Sequence, residues 1–244
     1  KSRKAQRDAE KKRKQQIYIL VGIVIAAIIV VIGIVVVNQQ GVMARQTAAT
    51  VAEGGAYQDI LMSTSAEGMP QLGEDDAPMT IHEYSSFGCP HCASFHDDQF
   101  QELLDDVRAG DVRIVFVPVT NSFSQEASKA GFCAEEQGKF WEMHDVLFNY
   151  LSQFGNAAFQ VARLRDGATA LGLDVNAFEA CLAADATFER MNVANGMFQA
   201  VTEEYGNVTG TPTITFNGVP PEMGSGGPPM TYIDQQIAAV LAAE

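Results

Sequence analysis

The sequence predicts an α/β fold in which a helical subdomain is inserted into a small sheet domain, preceded by one N-terminal transmembrane helix. Three patterns lead to this prediction. A long apolar run lies near the N-terminus, two β-rich segments flank an amphipathic helix in the middle of the chain, and helical periodicity then continues over about residues 122–206. The chain has 244 residues, 47% of them hydrophobic, which is enough to bury one core of this kind.

The apolar run covers Ile17–Val37 and contains no charged side chain. At a rise of about 1.5 Å per residue, a helix of this length matches the roughly 30 Å thickness of a bilayer core. Basic residues are concentrated ahead of the run, in residues 1–16. The run is therefore predicted to be an uncleaved signal anchor, with 1–16 as a cytoplasmic tail and the rest of the chain extracytoplasmic at the cell membrane. A cleaved signal peptide and a buried soluble helix are the alternatives.

The charge of the chain is unevenly distributed. The formal net charge is −14 and residues 1–16 contribute +6, so everything after them carries −20. A strongly acidic body argues against nucleic-acid binding and against binding of anionic lipid by that body. Outside the cytoplasm, the four cysteines would meet an oxidising environment in which disulfides persist.

Residues 38–76 are rich in Gln, Ala, Gly, Thr and Ser, which is typical of a linker or stalk, with a short helix predicted at about 57–62. The folded domain, 77–244, is predicted to start with a β-α-β unit. Its segments are PMTIHEY, CASFHDDQFQELLDDV and DVRIVFVPV. After the helical insertion come a strand, TPTITFNG, a Gly/Pro loop and a last helix.

The segment Cys89-Pro90-His91-Cys92 lies at the turn from the first strand of this unit into its helix. The unpaired N–H groups and the dipole of a helix N-terminus favour a thiolate, so the pKa of Cys89 is predicted to be low. Pro90 is tolerated in the first turn, and a charged His91 would favour the thiolate further. A stabilised thiolate makes the disulfide a stronger oxidant. Cys92, one turn into the helix, is predicted to be the buried resolving thiol.

A structural disulfide and half of a zinc site are the alternatives for this CxxC motif. A zinc site needs a second pair of ligands. Cys133 and Cys181 lie far apart in separate helical segments, and His82, His96 and His144 show no pairing spacing, so no metal is expected. His96 and His144 are predicted to be surface or cap residues. A structural disulfide is predicted between Cys133 and Cys181, with two free buried thiols as the alternative.

Three motifs together resemble the DsbA-like thiol:disulfide oxidoreductases of the thioredoxin superfamily. They are FGCPHC with Glu83 six positions before Cys89, GKFWEMHDVLF within the helical insertion, and GTPT before a strand. The resemblance runs from about Ala77 to the C-terminus. It implies a thioredoxin fold in which Cys89 attacks and Cys92 resolves, with Pro212 in the cis conformation facing them. It also implies that Glu83 lies beneath the cysteines as a proton-transfer group.

The residues agree with what the resemblance implies. Pro212 opens a β-branched strand, and a cis bond there would leave the backbone of Thr211 able to pair with an extended substrate segment. An ordinary trans proline is the alternative. Glu83 shares a strand face with Ile81 if the strand alternates, which would bury it; a solvent-facing acid is the alternative. After Gly218 the chain departs from the family pattern, so the last strand of the sheet is predicted to be short or missing.

The resemblance implies a membrane-tethered oxidase that donates its Cys89–Cys92 disulfide to exported proteins with thiols. It implies no bound cofactor, only the redox-active disulfide. Re-oxidation would then need a quinone-linked membrane oxidase of the DsbB or vitamin-K-epoxide-reductase type. A disulfide reductase or isomerase using the same site is an alternative, as is an accessory or docking subunit of a larger membrane protein complex.

Overall fold

The computed structural model of the chain describes residues 3–223 and 226–243. The chain divides into two compact units, one up to Met43 and one from Ala44 onward. The first unit is helical, and the second contains the sheet, the cysteines and the remaining helices.

Helix α1 runs over Arg3–Gly54 and so belongs to both units. Its part in the first unit contains the predicted run Ile17–Val37, whose side chains are exposed. By length and composition α1 is a candidate membrane span close to the N-terminus, as the apolar run predicts.

Five strands form one mixed sheet. They are β1 Met62–Thr64, β2 Pro70–Leu72, β3 Met79–Ser85, β4 Val112–Pro118 and β5 Thr213–Phe216. Their order is β1-β2-β4-β3-β5. Strand β3 runs parallel to the central strand β4 and antiparallel to β5, and β2 pairs antiparallel with the other edge of β4. The parallel pair requires a crossover, which the helices between β3 and β4 provide.

This crossover begins with α2, Pro90–Phe95, and continues through one π-helical turn, His96–Phe100, into α3, Gln101–Ala109. Five helices lie between β4 and β5, and α9 follows β5. They are α4 Gln125–Glu135, α5 Phe140–Phe154, α6 Val161–Ala170, α7 Val175–Leu182, α8 Asp185–Tyr205 and α9 Met230–Leu241. The predicted α/β fold with an inserted helical subdomain is confirmed.

Residues 38–76 are not the linker that their composition predicts. Helix α1 continues through them to Gly54, and β1 and β2 then extend the sheet. Ala44 and Ala48 are fully buried, and the Ala44 carbonyl accepts a 2.8 Å hydrogen bond from the Tyr150 hydroxyl. The small residues therefore allow close packing of a helix. Small residues are also typical of flexible linkers, so composition alone does not separate the two cases.

The short helix predicted at about 57–62 is also wrong, because this stretch is a turn that leads into β1. Gly55 has a φ of +60°, a left-handed conformation that favours glycine and commonly follows the end of a helix. Tyr57 is buried in the turn, and its hydroxyl donates a 2.5 Å hydrogen bond to Asp145. The segment is a packed connection between α1 and the sheet.

Apolar side chains cover both faces of the sheet. On one face lies the larger core, in which the ring of Phe87 is 5.2 Å from that of Phe116 and 5.1 Å from that of Phe148. On the other face α8 and α4 contribute to a smaller cluster. Its buried members are Met69, Tyr84, Val115, Val117, Phe132, Met191 and Ala194. Successive residues of a strand point to opposite faces, so β3 directs Ile81 and Glu83 to the larger core and Tyr84 to the smaller.

Cys133 on α4 and Cys181 on α7 are joined by a disulfide, with their Cα atoms 5.6 Å apart. The bond links residues separated by 48 positions within the helical subdomain. It therefore connects two helices that the chain would otherwise hold together by side-chain packing.

The loop after β5 agrees with the predicted departure from the family pattern. Within the ranges 3–223 and 226–243, the chain forms no further strand after β5; Val219 makes an isolated bridge with Phe216. The Gly226 N–H donates a 2.9 Å hydrogen bond to the Pro212 carbonyl. Two residues of the predicted Gly/Pro loop, 224 and 225, lie outside the described residues.

Candidate active site

The Cys-Pro-His-Cys segment connects the carboxyl end of β3 to α2. Cys89 is the N-cap of α2 in an extended conformation, and Pro90 occupies the first helical position. The Cys89 N–H donates to the Ser86 carbonyl at 3.0 Å, and the Cys89 carbonyl accepts from the Ala93 N–H at 3.1 Å. His91 is exposed beside it. The motif thus lies at the strand-to-helix turn, where a helix N-terminus faces the first sulfur.

Cys89 is partly exposed, and its Sγ lies 3.3 Å from the Thr211 carbonyl oxygen. A hydrogen bond from the Cys92 thiol is the main cause that lowers the pKa of Cys89, from an ordinary value of 9.0 to about 5. Partial burial opposes this change, while Thr211 and the backbone N–H groups of Cys92 and His91 add to it. Cys89 is therefore a thiolate at neutral pH.

Cys92 has the opposite environment. It is buried, and its Sγ accepts a 3.4 Å hydrogen bond from the Ser86 N–H. Burial raises the pKa of Cys92 far above its ordinary value, and donation of its proton to Cys89 raises it further. Neither sulfur is in a disulfide here, and the two differ strongly in proton affinity.

Thr211 and Pro212 bring a second segment to the cysteines. The peptide bond between them is cis, and they directly precede β5, which pairs with β3. This pairing places the Thr211 carbonyl next to Cys89. A cavity of about 410 Å³ opens on the other side of the motif, between Pro90 on α2 and Leu151 on α5.

Glu83 lies in the middle of β3, between Phe116 of β4 and Ile214 of β5. It is 1% exposed, and neither carboxylate oxygen has a hydrogen-bond partner of ordinary geometry among the described residues. Burial raises the pKa of Glu83 to about 7, against smaller opposing effects of the Ser85 hydroxyl and the His96 charge. A carboxyl with this pKa can exchange protons near neutral pH.

His96 and His144 are not the surface or cap residues that their isolated positions predict. His96 is 5% exposed and His144 is fully buried. Two sequence signals could have indicated this: His96 follows Cys92 by four positions, and His144 stands four positions after Phe140 and four before Phe148. Residues at that spacing share one face of a helix.

These histidines meet at Asp145. One oxygen of Asp145 accepts from the Tyr57 hydroxyl at 2.5 Å and lies 2.8 Å from His96 Nε2 and 3.2 Å from His144 Nδ1. The other nitrogen of His96, Nδ1, is 3.0 Å from Asp97. We use the name buried polar cluster for Tyr57, His96, His144 and Asp145 together with Asp97, which is exposed at its edge.

The buried polar cluster has the residue types of a metal site, since His96, His144 and Asp145 each place a donor atom within 4.8 Å of the other two. Both nitrogens of His96, one oxygen of Asp145 and Nδ1 of His144 are used in hydrogen bonds, while Nε2 of His144 has no partner among the described residues. Asp145 is already surrounded by three donors, and both nitrogens of His96 face carboxylate oxygens. As arranged, the cluster is a hydrogen-bonded network rather than a set of ligands directed at an ion.

A family model described as Thioredoxin matches residues 65–222. The chain belongs to the thioredoxin family. The match includes the cysteine motif and the cis proline, and it begins before residue 77, in agreement with the place of β2 in the sheet.

Two proteins of similar sequence add to this finding. The Na(+)/H(+) antiporter NhaA 3 of Salinispora tropica is 30% identical over 179 residues, which are 72% of this chain and 26% of the antiporter. Disulfide bond formation protein D of Bacillus subtilis is 36% identical over 91 residues, 34% of this chain and 40% of that protein. This chain therefore spans about a quarter of the antiporter and two fifths of the Bacillus protein.

The crystal structure of oxidised BdbD from Bacillus subtilis has the same fold, with a TM-score of 0.59 over 76% of this chain and all of that chain. The sequence identity is 23%, so the likeness is one of fold. The resemblance to DsbA-like members of the thioredoxin family, predicted from the motifs, is confirmed.

Proposed function

We propose that this chain is a thiol:disulfide oxidoreductase that donates a Cys89–Cys92 disulfide to the thiols of exported proteins. The observation that carries the proposal is the contrast between two sulfurs in one motif. Cys89 is accessible with a pKa of about 5, and Cys92 is buried with a raised pKa. A stable thiolate at Cys89 favours the reduced form and makes the disulfide a strong oxidant.

The reaction takes two exchanges. A substrate thiolate attacks Cys89 in the Cys89–Cys92 disulfide, forms a mixed disulfide, and releases Cys92, which takes up a proton. A second substrate thiolate then attacks the substrate sulfur of the mixed disulfide, so that the substrate is oxidised and Cys89 leaves as a thiolate. The low pKa of Cys89 makes it a good leaving group in that second step.

Two features near Cys89 suit an unfolded polypeptide substrate. The backbone of Thr211 lies beside the sulfur and can pair with an extended segment. The cavity of about 410 Å³ between Pro90 and Leu151 has room for a substrate side chain next to Cys89. We infer that substrates are recognised through backbone and apolar contacts, with little dependence on sequence.

The proposed setting is the outer face of a membrane. Residues 17–37 would be the anchor, with residues 1–16 in the cytoplasm, and a quinone-linked membrane oxidase would restore the disulfide. A reporter that is active only outside the cytoplasm, fused after Glu244, is expected to work. Activity of a cytoplasm-only reporter at the same place would reverse the orientation.

Replacement of the resolving thiol tests the proposed chemistry. Cys92→Ala is expected to trap mixed disulfides at Cys89, formed when its thiolate attacks a disulfide of the oxidising partner and the other partner sulfur leaves as a thiolate. They are seen as shifted bands that vanish on reduction. In Cys89→Ala the adducts are expected to disappear, because Cys92 is buried and protonated. Adducts that form through Cys92 instead would reverse the two roles, and no adducts in either variant would reject the redox function.

The similarity to a Na(+)/H(+) antiporter favours a second candidate, an accessory or docking subunit of a larger membrane protein complex. That function needs no thiol chemistry. It predicts that a membrane complex isolated with the full chain survives replacement of both Cys89 and Cys92, and that Cys92→Ala traps nothing.

A further inference from the structure

The buried polar cluster lies directly behind the reactive cysteines. Cys92 and His96 are four positions apart at the start of one continuous helical segment, so they share its buried face. His96 also begins the π-helical turn, a local widening that often accompanies functional sites. The helix that carries the resolving thiol therefore carries a buried histidine one turn below it.

Two carboxylates that face His96 keep its ring positively charged, and the neutral ring of His144 lies 5.1 Å from it. The two nitrogens of His96 face the carboxylates of Asp145 at 2.8 Å and Asp97 at 3.0 Å, so both can donate only if the ring holds two protons. Burial opposes the charged form of His96, but these two carboxylates raise its pKa above the ordinary value. Despite burial, hydrogen bonds from His144 and His96 hold the pKa of Asp145 at about 2.

The remaining members of the cluster stay neutral. Burial lowers the pKa of His144 to about 4, so this ring donates from Nδ1 to Asp145 and carries no charge near neutral pH. Burial and the negative charge of Asp145 raise the pKa of Tyr57. Glu142, on the same helix as Asp145, acts on Tyr57 and is paired with Lys139. The cluster is thus one buried cation held by two anions.

Phe116 and the neutral ring of His144 lie between Glu83 and this cation. Phe116, the partner of Glu83 in the register of β3 and β4, has its ring 4.8 Å from the ring of His144 in an edge-to-face arrangement. Phe87 touches both rings, at 5.2 Å from Phe116 and 5.9 Å from His144. Among the described charged groups, His96 is the cation that favours ionisation of Glu83. In a low-dielectric core a charge acts across such rings far more strongly than in water.

We propose that His96 is a positioning residue for the exchange step at Cys92, because its fixed positive charge keeps part of Glu83 ionised at neutral pH. The inference rests on the proposed oxidoreductase function and specifies how the reaction of the buried thiol, Cys92, is regulated. Asp145 and Asp97 have a supporting part, since they hold the proton on His96.

The step is closure of the disulfide during re-oxidation. Cys89 has by then attacked the disulfide of the oxidising partner, which formed a mixed disulfide and released the other partner sulfur as a thiolate. Cys92 gives its proton to the Glu83 carboxylate, and the resulting thiolate attacks Cys89 Sγ. The Cys89–Cys92 bond forms, the partner sulfur leaves as a thiolate, and Glu83 keeps the proton until solvent removes it. A permanently protonated Glu83 could not accept it, and closure would slow.

The test measures closure and the Glu83 carboxyl separately. In the full chain, the mixed disulfide of Cys89 with glutathione is prepared and the release of glutathione is timed between pH 5 and 9. The carboxyl itself is followed by isotope-edited infrared spectroscopy in the dithiol form. In His96→Gln, the Glu83 titration and the midpoint of the rate profile are both expected to move upward together by about one pH unit, which slows closure at pH 7 up to about tenfold.

Three further variants complete the design. Asp97→Asn, at an exposed position, is expected to shift both midpoints in the same direction by less, which keeps the test open should His96→Gln fold poorly. His82→Gln removes a histidine next to Glu83 on the opposite face of β3 and is expected to shift neither midpoint. In a Glu83→Gln background, His96→Gln is expected to leave the pH profile unchanged.

An unmoved Glu83 titration in folded His96→Gln and Asp97→Asn would overturn the inference and leave His96 a purely structural residue. So would an equal shift in His82→Gln. The proposed oxidoreductase function fails differently: the wild-type chain would then form no mixed disulfide at Cys89, or would not close it at any pH.

Discussion

The two cysteine pairs each place one sulfur on a short helix, and the two helices begin differently. Helix α2 begins at Cys89 itself, whose sulfur makes no capping hydrogen bond of ordinary geometry within the described part of the chain. Helix α7 begins at Asp174, whose carboxylate accepts from the N–H groups of Asn176 at 2.9 Å and Ala177 at 3.1 Å. Cys181 lies near the other end of α7 and is closed in a disulfide with Cys133.

The different N-termini of α2 and α7 explain why Cys89 is reactive. N–H groups at the start of α2 are left for a sulfur to use, and those of His91 and Cys92 help to lower the pKa of Cys89. At α7 a carboxylate already uses them, and the sulfur there has no charge to stabilise. One pair is open and reactive and the other closed and structural, because of the positions of the sulfurs on their helices.

The largest effect expected from this contrast is in the titration of Cys89. A pKa of about 5 instead of 9.0 corresponds to about a ten-thousandfold weaker affinity for the proton. Thiolate absorbance of the chain with its Cys133–Cys181 bond intact is expected to rise once, near pH 5. Cys92→Ala removes the largest cause and is expected to move that rise toward higher pH. A single rise above pH 8 in the wild type would contradict the assignment.

Removal of the closed pair is expected to affect stability and leave chemistry intact. In the chain-entropy model a disulfide between residues 48 apart contributes about 4 kcal/mol. The double variant Cys133→Ala/Cys181→Ala is expected to unfold that much more readily in denaturant, with the titration of Cys89 unchanged. A shifted Cys89 titration in the folded variant would mean that the two pairs are coupled.

Glu83 is expected to make the free energy of unfolding depend on pH, an effect that the Cys133–Cys181 disulfide does not have. Its folded pKa of about 7 lies above the ordinary 4.5, so its contribution is fully present below pH 4.5 and is lost as pH rises through 7. Relative to Glu83→Gln, the wild type is expected to lose roughly 3 kcal/mol of unfolding free energy between pH 4 and 9. Parallel curves for the two proteins would show that Glu83 titrates normally.

The smallest expected effect is at the cap of α7. Asp174→Ala removes the capping acceptor of the Asn176 and Ala177 N–H groups and is expected to cost about 1 kcal/mol. Asp174→Asn keeps a capping oxygen and is the matched control, with most of that stability retained. Denaturant unfolding measures both, and the reactivity of Cys89 is expected to be the same in each.

Much of this arrangement follows from local patterns. Helical periodicity predicts the inserted subdomain, and the apolar segment before Cys89 predicts β3 and the turn that exposes the sulfur. By contrast β1 and β2 have three residues each, which is too short for an alternating pattern to appear. β2 pairs with the edge of β4 and β1 pairs with β2, and the contact with β4 is one that a local reading of the chain does not include.

The buried polar cluster is the part that spacing could not predict. Two of its contacts join segments far apart in the chain, Tyr57 with Asp145 and His96 with Asp145. A buried histidine needs polar partners: His144 has its neighbour Asp145, and His96 has its neighbour Asp97 and the distant Asp145. The periodic positions of His96 and His144 indicate burial, but the contact between His96 and Asp145 can be recognised only from the fold.

The loop after β5 sets a limit on sequence variation at the active site. A Cβ atom placed on Gly227 would lie 2.4 Å from the ring of Phe95, which is buried on the helix that carries both reactive cysteines. Alanine at this position would have to displace either the loop or that helix. A redesign that keeps α2 in its present position therefore has to keep glycine at position 227. This residue lies more than a hundred positions from the cysteines in the chain.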